Sequence, residues 1–420
     1  MKHHENSSSP QSGHSSLSSS LNRRRFLIGM SSFIGATATH WLLSPGPAQS
    51  QGAYPDPTKI PGRPASIYGT RSSFAASKRL ETTDRSLTPL QDLHGIVTPS
   101  ALHFERHHNG IPHIDPTHHR LLIHGLVNQP MTYTIEELQR FPAVSRLAFI
   151  ECSGNTGKEW KKATGSTVQH THGLTSTSEW TGVALSTLIR EVGLHPTATW
   201  MLAEGSDAAA LTRSLPVEAM SQEAILCYAQ NGEALRPEQG YPLRLLLPGW
   251  EGNACIKWVR RLKFMAEPAM TREETSKYTD LMPDGTARQF TFEMEAKSVI
   301  TSPSGGQHLT QRGFVEIRGL AWSGRGRITQ VEVSTNGGNT WTPAELQNPI
   351  LPKCHTRFRF PWHWNGQEAF LQSRCVDETG YRQPTLSALV HKRGTHSYYH
   401  NNAIQSWHIF SDGHIENVHI

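Results

Sequence analysis

The sequence predicts an α+β protein, in which a domain that mixes strands and helices is followed by an all-β sandwich. Between residue 121 and about residue 267, segments with helical and with strand periodicity alternate. After Thr291, short alternating strands are separated by turn residues, which is typical of a β-sandwich. The 420 residues are enough for two domains and a tail. We therefore expect at least two hydrophobic cores, with a boundary near residues 270–295.

Local signals predict the elements of the first domain. Thr134 and Glu137 form a capping-box pattern that indicates the start of a short helix, which Pro142 ends. Apolar residues at helical spacing predict an amphipathic helix over 182–193. Apolar runs predict strands over residues 146–152, 199–204 and 241–247. The apolar residues of these elements are the expected core of the domain.

One hairpin of the second domain has a clear turn signal. Residues 328–334 alternate as a strand does, and Asn336, Gly337 and Gly338 follow them. These residue types tolerate the positive φ angles that a tight hairpin turn requires. We therefore expect the chain to reverse direction there, with Trp341 in the returning segment.

Charge and cysteine content exclude several classes of protein. The formal net charge is only +5, and the one block of basic residues is Arg23–Arg25, so we expect no nucleic-acid partner. Five cysteines occur without any Cys-x-x-Cys pair, which argues against zinc ribbons, thioredoxin-like redox pairs and covalently attached haem in this chain. At least one thiol has no partner within the chain, and whether Cys354 and Cys375 pair is open.

The N-terminal part reads as an export signal followed by an arm. Arg23–Arg25 precede a moderately apolar run, 26–43, and small residues at 46–50, which together indicate a twin-arginine signal within a leader at residues 1–50, cleaved near Ser50. A membrane anchor over 26–43 is the alternative, because about 18 residues is the lower limit for a spanning helix. The first reading predicts a periplasmic protein, exported folded around a cofactor. Residues 51–98 are rich in proline and predict an extended arm.

The sequence around Cys152 indicates a functional role for this residue. The apolar strand over 146–152 ends in this cysteine, and a Ser-Gly-Asn turn follows. A thiolate at such a strand end could bind a thiophilic metal, and an inert buried cysteine is the alternative. Histidines cluster at 107–108, 118–119 and 170–172, but none has a zinc-enzyme spacing, so we expect surface or hydrogen-bonded histidines there.

The chain resembles the sulfite oxidase family of molybdenum enzymes from about residue 94 to residue 420. Five separate landmarks occur in the family's order: 104–108, 152–155, 204–207, 241–244 and 255–258. The resemblance implies a molybdopterin-binding domain of sulfite oxidase type at 99–285 and an immunoglobulin-like β-sandwich that mediates dimerisation at 286–420. It also implies a molybdenum-molybdopterin cofactor with Cys152 as the metal ligand.

The resemblance further assigns roles to individual residues. It implies that Cys152, Tyr278, Arg106 and Arg393 are catalytic, with the two arginines forming a clamp for an anionic substrate. Guanidinium groups suit that role, although a solvated charge is the alternative for Arg393. The implied cofactor contacts are Arg106, His107, His108, Cys152, Asp207, Gln239, Arg244, Cys255, Ile256 and Lys257. Without the resemblance, each of these polar residues reads equally well as a salt bridge or a satisfied core group.

One departure from the family pattern bears on the substrate. Animal-type sulfite oxidases have an arginine five residues after the metal cysteine, where this chain has Gly157. Segments 258–261, 274–285 and 321–326 look like the sulfane dehydrogenase branch of bacterial thiosulfate oxidation. That branch implies sulfane sulfur on a separate carrier protein as substrate, a c-type cytochrome as electron acceptor, and a homodimer. The alternatives are a sulfite dehydrogenase acting on free sulfite and a non-catalytic structural subunit.

Overall fold

The structure is a computed structural model that describes residues 56–396 and 398–420. The predicted leader, twin-arginine signal, apolar run and cleavage site lie outside the described residues. The chain divides into two compact units, residues 1–70 and Arg71–Ile420. In the described part of the first unit, a single 3₁₀ turn occurs at Pro57–Lys59. Across the described residues, no helix is long and apolar enough to cross a membrane.

The helices are short and the strands numerous. The helices are α1 (Ile135–Gln139), α2 (Val168–His172), α3 (Leu185–Val192), α4 (Val217–Glu223), α5 (Arg272–Thr275) and α6 (Leu386–Arg393). The strands that precede the sandwich are β1 (Leu80–Glu81), β2 (Arg85–Leu87), β3 (Glu105–Arg106), β4 (Leu121–Gly125), β5 (Met131–Tyr133), β6 (Ala143–Glu151), β7 (Thr175–Ala184), β8 (Trp200–Gly205), β9 (Thr212–Pro216), β10 (Ile225–Gln230), β11 (Glu233–Ala234), β12 (Arg244–Leu246), β13 (Val259–Met265), β14 (Asp280–Leu281) and β15 (Ala287–Arg288). Those of the sandwich are β16 (Lys297–Ser302), β17 (Gly313–Trp322), β18 (Ile328–Ser334), β19 (Thr342–Pro343), β20 (Glu345–Gln347), β21 (Thr356–Trp364), β22 (Ala369–Asp377), β23 (Ser406–Ile409) and β24 (Ile415–Val418).

Two five-stranded sheets form the first domain. One has the order β5-β4-β13-β8-β9, and the other has the order β11-β10-β7-β6, with β12 also paired to β10. The pair β4 and β13 is parallel and the other pairs are antiparallel. A continuous hydrophobic core that includes Trp180, Leu188 and Phe264 lies among these elements. The α+β prediction is confirmed for this domain.

Most predicted elements of the first domain are present with shifted ends. The capping box is confirmed: Thr134 Oγ1 accepts from the Glu137 amide at 3.1 Å, and the Glu137 carboxylate accepts from the Thr134 amide at 2.8 Å. The predicted helix 182–193 begins only at Leu185, because Gly182 extends β7 and lies against the main chain of β10. The predicted strand 146–152 is β6, which ends at Glu151, so that Cys152 is the first residue beyond the strand.

The second domain is the predicted sandwich of two antiparallel sheets. Its sheets have the orders β16-β17-β21-β20 and β19-β18-β22-β23-β24. A second hydrophobic core between them includes Trp322, Phe358 and Trp407. Strand β18 has the predicted bounds, and Gly337 and Gly338 have φ angles of 67° and 86°, as the turn signal indicated.

Many of the residues predicted to form an extended arm, and those at the predicted domain boundary, are part of the folded structure. From Arg71 onward, the residues predicted as an extended arm belong to the second compact unit. Strand β2 pairs with β3, and Leu90 is completely buried in the sandwich core. The hairpin of β14 and β15 crosses the predicted boundary at 285/286. Cys354 and Cys375 do not pair, and all five cysteines are free thiols.

Candidate active site

A cavity lies at the end of β6, where Cys152 follows the strand. All predicted site residues except Ile256 and Arg393 line it. The lining consists of His103, Phe104, Arg106, His107, His108, Ile150, Cys152, Asp207, Leu211, Gln239, Arg244, Gly252, Asn253, Cys255, Lys257, Trp258 and Tyr278. The fold therefore brings residues from five separate sequence landmarks to one place.

Main-chain and side-chain hydrogen bonds fix the loop that carries Cys152. The Cys152 amide donates to Leu174 O at 3.0 Å, and the Asn155 amide donates back to Cys152 O at 2.8 Å. The Asn155 side chain donates to the buried carboxylate of Glu151 at 2.9 Å and accepts from the Leu174 amide at 3.2 Å. Burial raises the pKa of the Cys152 thiol, while the Gly154 amide and Arg106 oppose that rise. A bound metal cation favours the thiolate at such a position.

The cavity wall carries more positive than negative charge. Arg244 is 3% exposed, stacks over Trp180 at 4.9 Å, and donates to the carbonyl of Gln239 at 3.0 Å. Burial, and then the charge of Arg244, lowers the pKa of Lys257 to about 7. Asp207 is the one carboxylate among the described residues that line the cavity.

A buried polar atom without a partner indicates what the cavity can hold. The Arg244 Nε–H donor is buried and has no hydrogen-bond partner. Buried donors of this kind are costly unless a ligand satisfies them. An anion with several acceptor oxygens, such as a phosphate, would do so, and the Cys152 sulfur would suit molybdenum. The residues present thus fit a phosphate-bearing molybdopterin cofactor.

Loss of the Arg244 guanidinium is predicted to weaken cofactor retention. We expect Arg244→Met to bind the cofactor roughly 10- to 150-fold more weakly, because a hydrogen bond to a charged group is worth about 1.5–3 kcal/mol. Molybdenum and pterin content after dialysis measure this. Arg140→Met is the matched control, since Arg140 is 69% exposed and pairs with Glu136 on α1. Full cofactor content in Arg244→Met would contradict the assignment.

Tyr278 stands at the cavity beside His108. Its hydroxyl lies 2.8 Å from His108 Nε2, and its φ of 51° is in the left-handed region, which is strained for a residue with a side chain. Burial raises the Tyr278 pKa well above its usual value of 10 and lowers the His108 pKa to about 4. The two side chains are therefore neutral near pH 7 and share a neutral hydrogen bond.

A buried charge network supports Tyr278 from behind. The Arg213 guanidinium lies 5.2 Å from the centre of the Tyr278 ring and is completely buried. It pairs with Glu251 at 3.0 Å and with Glu274 at 3.1 Å. Asn253 accepts from Arg213, and it donates to Glu251 at 2.8 Å and to the Ser153 hydroxyl of the cysteine loop at 3.1 Å. The network thus links the two walls of the cavity that carry Tyr278 and Cys152.

The C-terminal domain also contacts the cysteine loop. Lys297 donates to Glu151 at 2.9 Å and to the Thr156 hydroxyl at 2.8 Å, and Trp322 Nε1 donates to Glu151 at 2.7 Å. Glu151 immediately precedes Cys152, so two residues of the sandwich help to fix the backbone that presents the thiol. Sequence reasoning missed both, because no local signal relates positions that are 146 and 171 residues apart.

The structure does not bring Arg393 to the cavity. Arg393 is completely buried at the end of α6, where its guanidinium lies 3.4 Å from Glu295 and 3.7 Å from Asp280. The predicted clamp of Arg106 and Arg393 is therefore not formed in this structure, and the predicted alternative of a solvated charge does not describe Arg393 either. Ile256 is buried beneath the cavity wall, and its carbonyl accepts from the Leu245 amide at 2.8 Å.

Arg106 has a different partner, which sequence reasoning missed. Its guanidinium lies 3.2 Å from Asp84, which also binds Arg85 at 2.9 Å. Both residues come from the segment predicted as an arm, whose strand β2 aligns Arg85 with Arg106 of β3. A pair of oppositely charged neighbours such as Asp84 and Arg85 is too common in sequences to serve as a signal.

Comparisons with known proteins also indicate a protein that binds molybdopterin. The oxidoreductase molybdopterin binding domain model matches residues 108–273, and the Mo-co oxidoreductase dimerisation domain model matches residues 288–407. The crystal structure of the sulfane dehydrogenase SoxCD from Paracoccus pantotrophus contains a chain that is 46% identical, with a TM-score of 0.83, covering 88% of this chain and 100% of that one.

Curated relatives are more distant in sequence. Mitochondrial sulfite oxidase of Mus musculus is 29% identical, over 75% of this chain and 61% of its own length. NADH nitrate reductase 1 of Oryza sativa subsp. japonica is 32% identical over 64% of this chain. The chain spans about a third of the length of the nitrate reductases that it matches.

Fold and site together define a molybdopterin-dependent oxidoreductase, with a cofactor-binding domain followed by a domain of the dimerisation type. The chain belongs to the sulfite oxidase family of molybdenum enzymes. The family's cofactor, molybdenum held by molybdopterin, agrees with the cavity described above. The roles predicted for individual site residues stay predictions.

Proposed function

We propose that this protein oxidises sulfane sulfur carried on a separate carrier protein and passes the electrons to a c-type cytochrome subunit. The observation that carries the proposal is the 46% identity to a chain of the sulfane dehydrogenase SoxCD over the whole length of that chain. A likeness of this extent includes both domains and the segments that form the cavity wall. The absence of a Cys-x-x-Cys-His motif in this sequence fits an external haem protein as acceptor.

The residues at the cavity suit such an oxidation. When bound, the molybdenum cofactor would supply the two-electron chemistry at sulfur, with water as the source of oxygen. Cys152 would hold the metal, and Arg106 would orient an anionic sulfur group at the mouth. The neutral Tyr278 hydroxyl, shared with His108, would hold or move a proton at its phenol oxygen.

A sulfite dehydrogenase is the second candidate. It is favoured by the sulfite oxidase relative of Mus musculus and by Arg106, whose cationic side chain lines the cavity. Gly157 argues against a sulfite dehydrogenase, because it stands where animal-type sulfite oxidases have an arginine. A small dianion needs close positive charge to offset its loss of hydration.

Steady-state assays with both substrates separate the candidates. The cofactor-loaded enzyme would be offered carrier-bound sulfane, free sulfite and, as a further arm, nitrate with an artificial electron donor, while cytochrome c reduction or donor oxidation is followed. We expect kcat/KM for carrier-bound sulfane to be the highest of the three. Efficient turnover of free sulfite at low KM, with none of the carrier-bound form, would favour the second candidate.

Replacement of the Tyr278 hydroxyl tests its proposed role. We expect Tyr278→Phe to lower kcat about 3- to 10-fold, because the lost hydrogen bond is worth about 0.5–1.5 kcal/mol. The free energy of unfolding should fall by no more than about 0.5–1.5 kcal/mol and the molybdenum content should be unchanged, since the ring keeps its contacts with Arg213 and Tyr399. Tyr228→Phe on β10 is the matched control. An unchanged kcat in Tyr278→Phe would exclude the phenol from the reaction.

Export and assembly are further parts of the proposal. The twin-arginine pattern supports a periplasmic location after folded export with cleavage near Ser50, and the match to a dimerisation domain supports a homodimer through residues 288–407. Cell fractionation followed by mass measurement of the mature chain tests the first point. Light scattering of the purified chain tests the second.

A further inference from the structure

A short segment of the C-terminal domain lies directly on the loop that follows Cys152. We name residues Tyr398–Asn402 the tyrosine segment. The His400 amide donates to Ser153 O at 2.8 Å, the Thr156 hydroxyl donates to Asn401 O at 2.7 Å, and the Asn401 side chain donates to Thr156 O at 3.3 Å. His400 Nε2 also lies 3.1 Å from the buried carboxylate of Glu251. One bond between main-chain atoms and three bonds that involve side chains therefore fix the position of the segment against the cysteine loop.

The tyrosine segment fills the space that a side chain at position 157 would need. A Cβ atom on Gly157 would lie 2.5 Å from Tyr398 O and 3.0 Å from the Tyr398 ring. A Cβ atom on Gly154 would also lie 3.0 Å from that ring. A Cβ atom at position 157 would require the Tyr398 main chain to move, whereas one at position 154 would only crowd the Tyr398 ring. The Tyr398 phenol, which comes from the other domain, thus covers the two glycines of the cysteine loop.

Two further aromatic rings continue this surface to the cavity. The Tyr399 ring centre lies 5.2 Å from that of Tyr278 and 5.6 Å from that of Tyr398. Burial raises the pKa of both Tyr278 and Tyr399, so these phenols are neutral. The rings of residues 278, 399 and 398 form a continuous aromatic rim that runs from Tyr278 in the cavity wall to Tyr398 on the Cys152 loop.

The arginine side chains near this rim already pair with other side chains of the protein. Asp84 binds both Arg85 and Arg106, and the side chain of Tyr398 is hydrogen-bonded to Arg85. An arginine that shares a carboxylate attracts a free dianion less strongly than one without a counter-charge. Neutral rings and compensated arginines together suit a sulfur atom attached to a larger organic group, because apolar and peptide-like surfaces pack well on aromatic side chains.

We infer that Tyr398 is a specificity-determining residue of this site: it discriminates in favour of sulfane sulfur borne on a peptide thiol and against small free oxyanions. The inference rests on the proposed function and names the part of the chain that selects its substrate. Tyr398 acts through its contact with substrate at the rim and through its cover over Gly157, and it takes no part in holding the cofactor.

The test compares two probes on three variants. Glutathione persulfide serves as the peptide-borne sulfane and sulfite as the free oxyanion, and the ratio of their kcat/KM values is measured for the wild type, Tyr398→Ala and Tyr398→Phe. Sulfate binding by calorimetry gives a second readout that needs no turnover. We expect Tyr398→Ala to shift the ratio about tenfold toward sulfite, within the range that one altered pocket contact produces, and to bind sulfate more tightly.

The conservative variant separates specificity from a structural role. Tyr398→Phe keeps the ring over Gly154 and Gly157, and Arg85 keeps its ion pair with Asp84, so the ratio should stay within about threefold of the wild type. Gly157→Ala should shift the ratio in the same direction as Tyr398→Ala, since its Cβ must displace the Tyr398 main chain. Molybdenum content, measured for each variant, should equal that of the wild type.

Failure of the inference and failure of the proposed function give different results. A wild type that turns over both probes, with an unchanged ratio and unchanged sulfate affinity in Tyr398→Ala, would overturn the inference alone. Equal loss of both activities together with molybdenum in Tyr398→Ala and Tyr398→Phe would make Tyr398 a structural residue and would also overturn it. A cofactor-loaded wild type that oxidises neither of the two probes nor carrier-bound sulfane would contradict the proposed function, and the inference with it.

Discussion

Cys152→Ser is expected to reduce turnover by more than about 100-fold. Loss of a residue that only supports a metal ligand lowers activity by up to about 100-fold, and loss of the ligand itself should have a larger effect. A hydroxyl at this position is a poor ligand for a thiophilic metal, so the metal should lose its protein sulfur ligand even where the pterin is retained. Turnover with either sulfur substrate and X-ray absorption at molybdenum would report the two effects.

Cys354 provides the control for that experiment. Cys354 is buried in the sandwich domain and does not line the cavity, so Cys354→Ala should keep wild-type turnover. Unchanged activity in Cys152→Ser would remove the metal-ligand assignment. Equal loss in both variants would mean that general destabilisation, and not ligation, explains the effect.

Arg213→Met is expected to destabilise the fold by about 3–5 kcal/mol. Arg213 is completely buried between Glu251 and Glu274, and loss of the cation leaves two buried carboxylates without their main partner. Chemical denaturation of both proteins under the same conditions measures the change. Arg359→Met is the control, because its pair with Glu345 is exposed and should contribute at most about 1 kcal/mol.

The same network predicts a pH dependence of stability. Burial alone would raise the pKa of Glu251, but Arg213, His400 and Asn253 lower it to about 2, against an ordinary value of 4.5. A carboxylate with a lowered folded-state pKa stabilises the fold fully above its unfolded pKa and loses that contribution as the pH falls. Wild-type stability should therefore fall between about pH 4.5 and pH 2, and Arg213→Met should fall less over the same window. Parallel pH profiles for the two proteins would contradict this account.

Much of the fold follows from local signals, because those signals act within a few residues. The Thr134 capping box and strand β18 with its glycine turn depend only on neighbouring residues, and both agree with the prediction. The start of α3 was wrong by three residues. Its predicted first turn pairs with β10 in the sheet, and hydrogen bonding to a distant strand overrides a helical pattern of apolar residues.

The cavity could be predicted in part for a related reason. Short motifs around Cys152, Arg244 and Lys257 carry enough specific residues to be recognised, and the fold brings them together. The location of Arg393 could not be predicted. The sequence does not distinguish an arginine that reaches a cavity from one that pairs, as Arg393 does, with buried carboxylates of Asp280 and Glu295.

Contacts between the two domains could not be predicted from the sequence. Lys297 and the tyrosine segment reach the cysteine loop across 141 to 245 residues of chain. Such contacts depend on how the two cores pack together, and no spacing within either segment encodes that. The residues that we infer to set substrate preference belong to this group.

Molybdenum EPR on the exported, purified wild type tests the central claim most directly, with thiol-borne sulfane, sulfite and thiosulfate added separately and Cys152→Ser measured in parallel. We predict stoichiometric molybdenum, a Mo(V) signal that develops most strongly with thiol-borne sulfane, and an altered signal in Cys152→Ser. Protein that carries no molybdenum after authentic export, or an identical signal with and without the Cys152 thiol, would contradict the account.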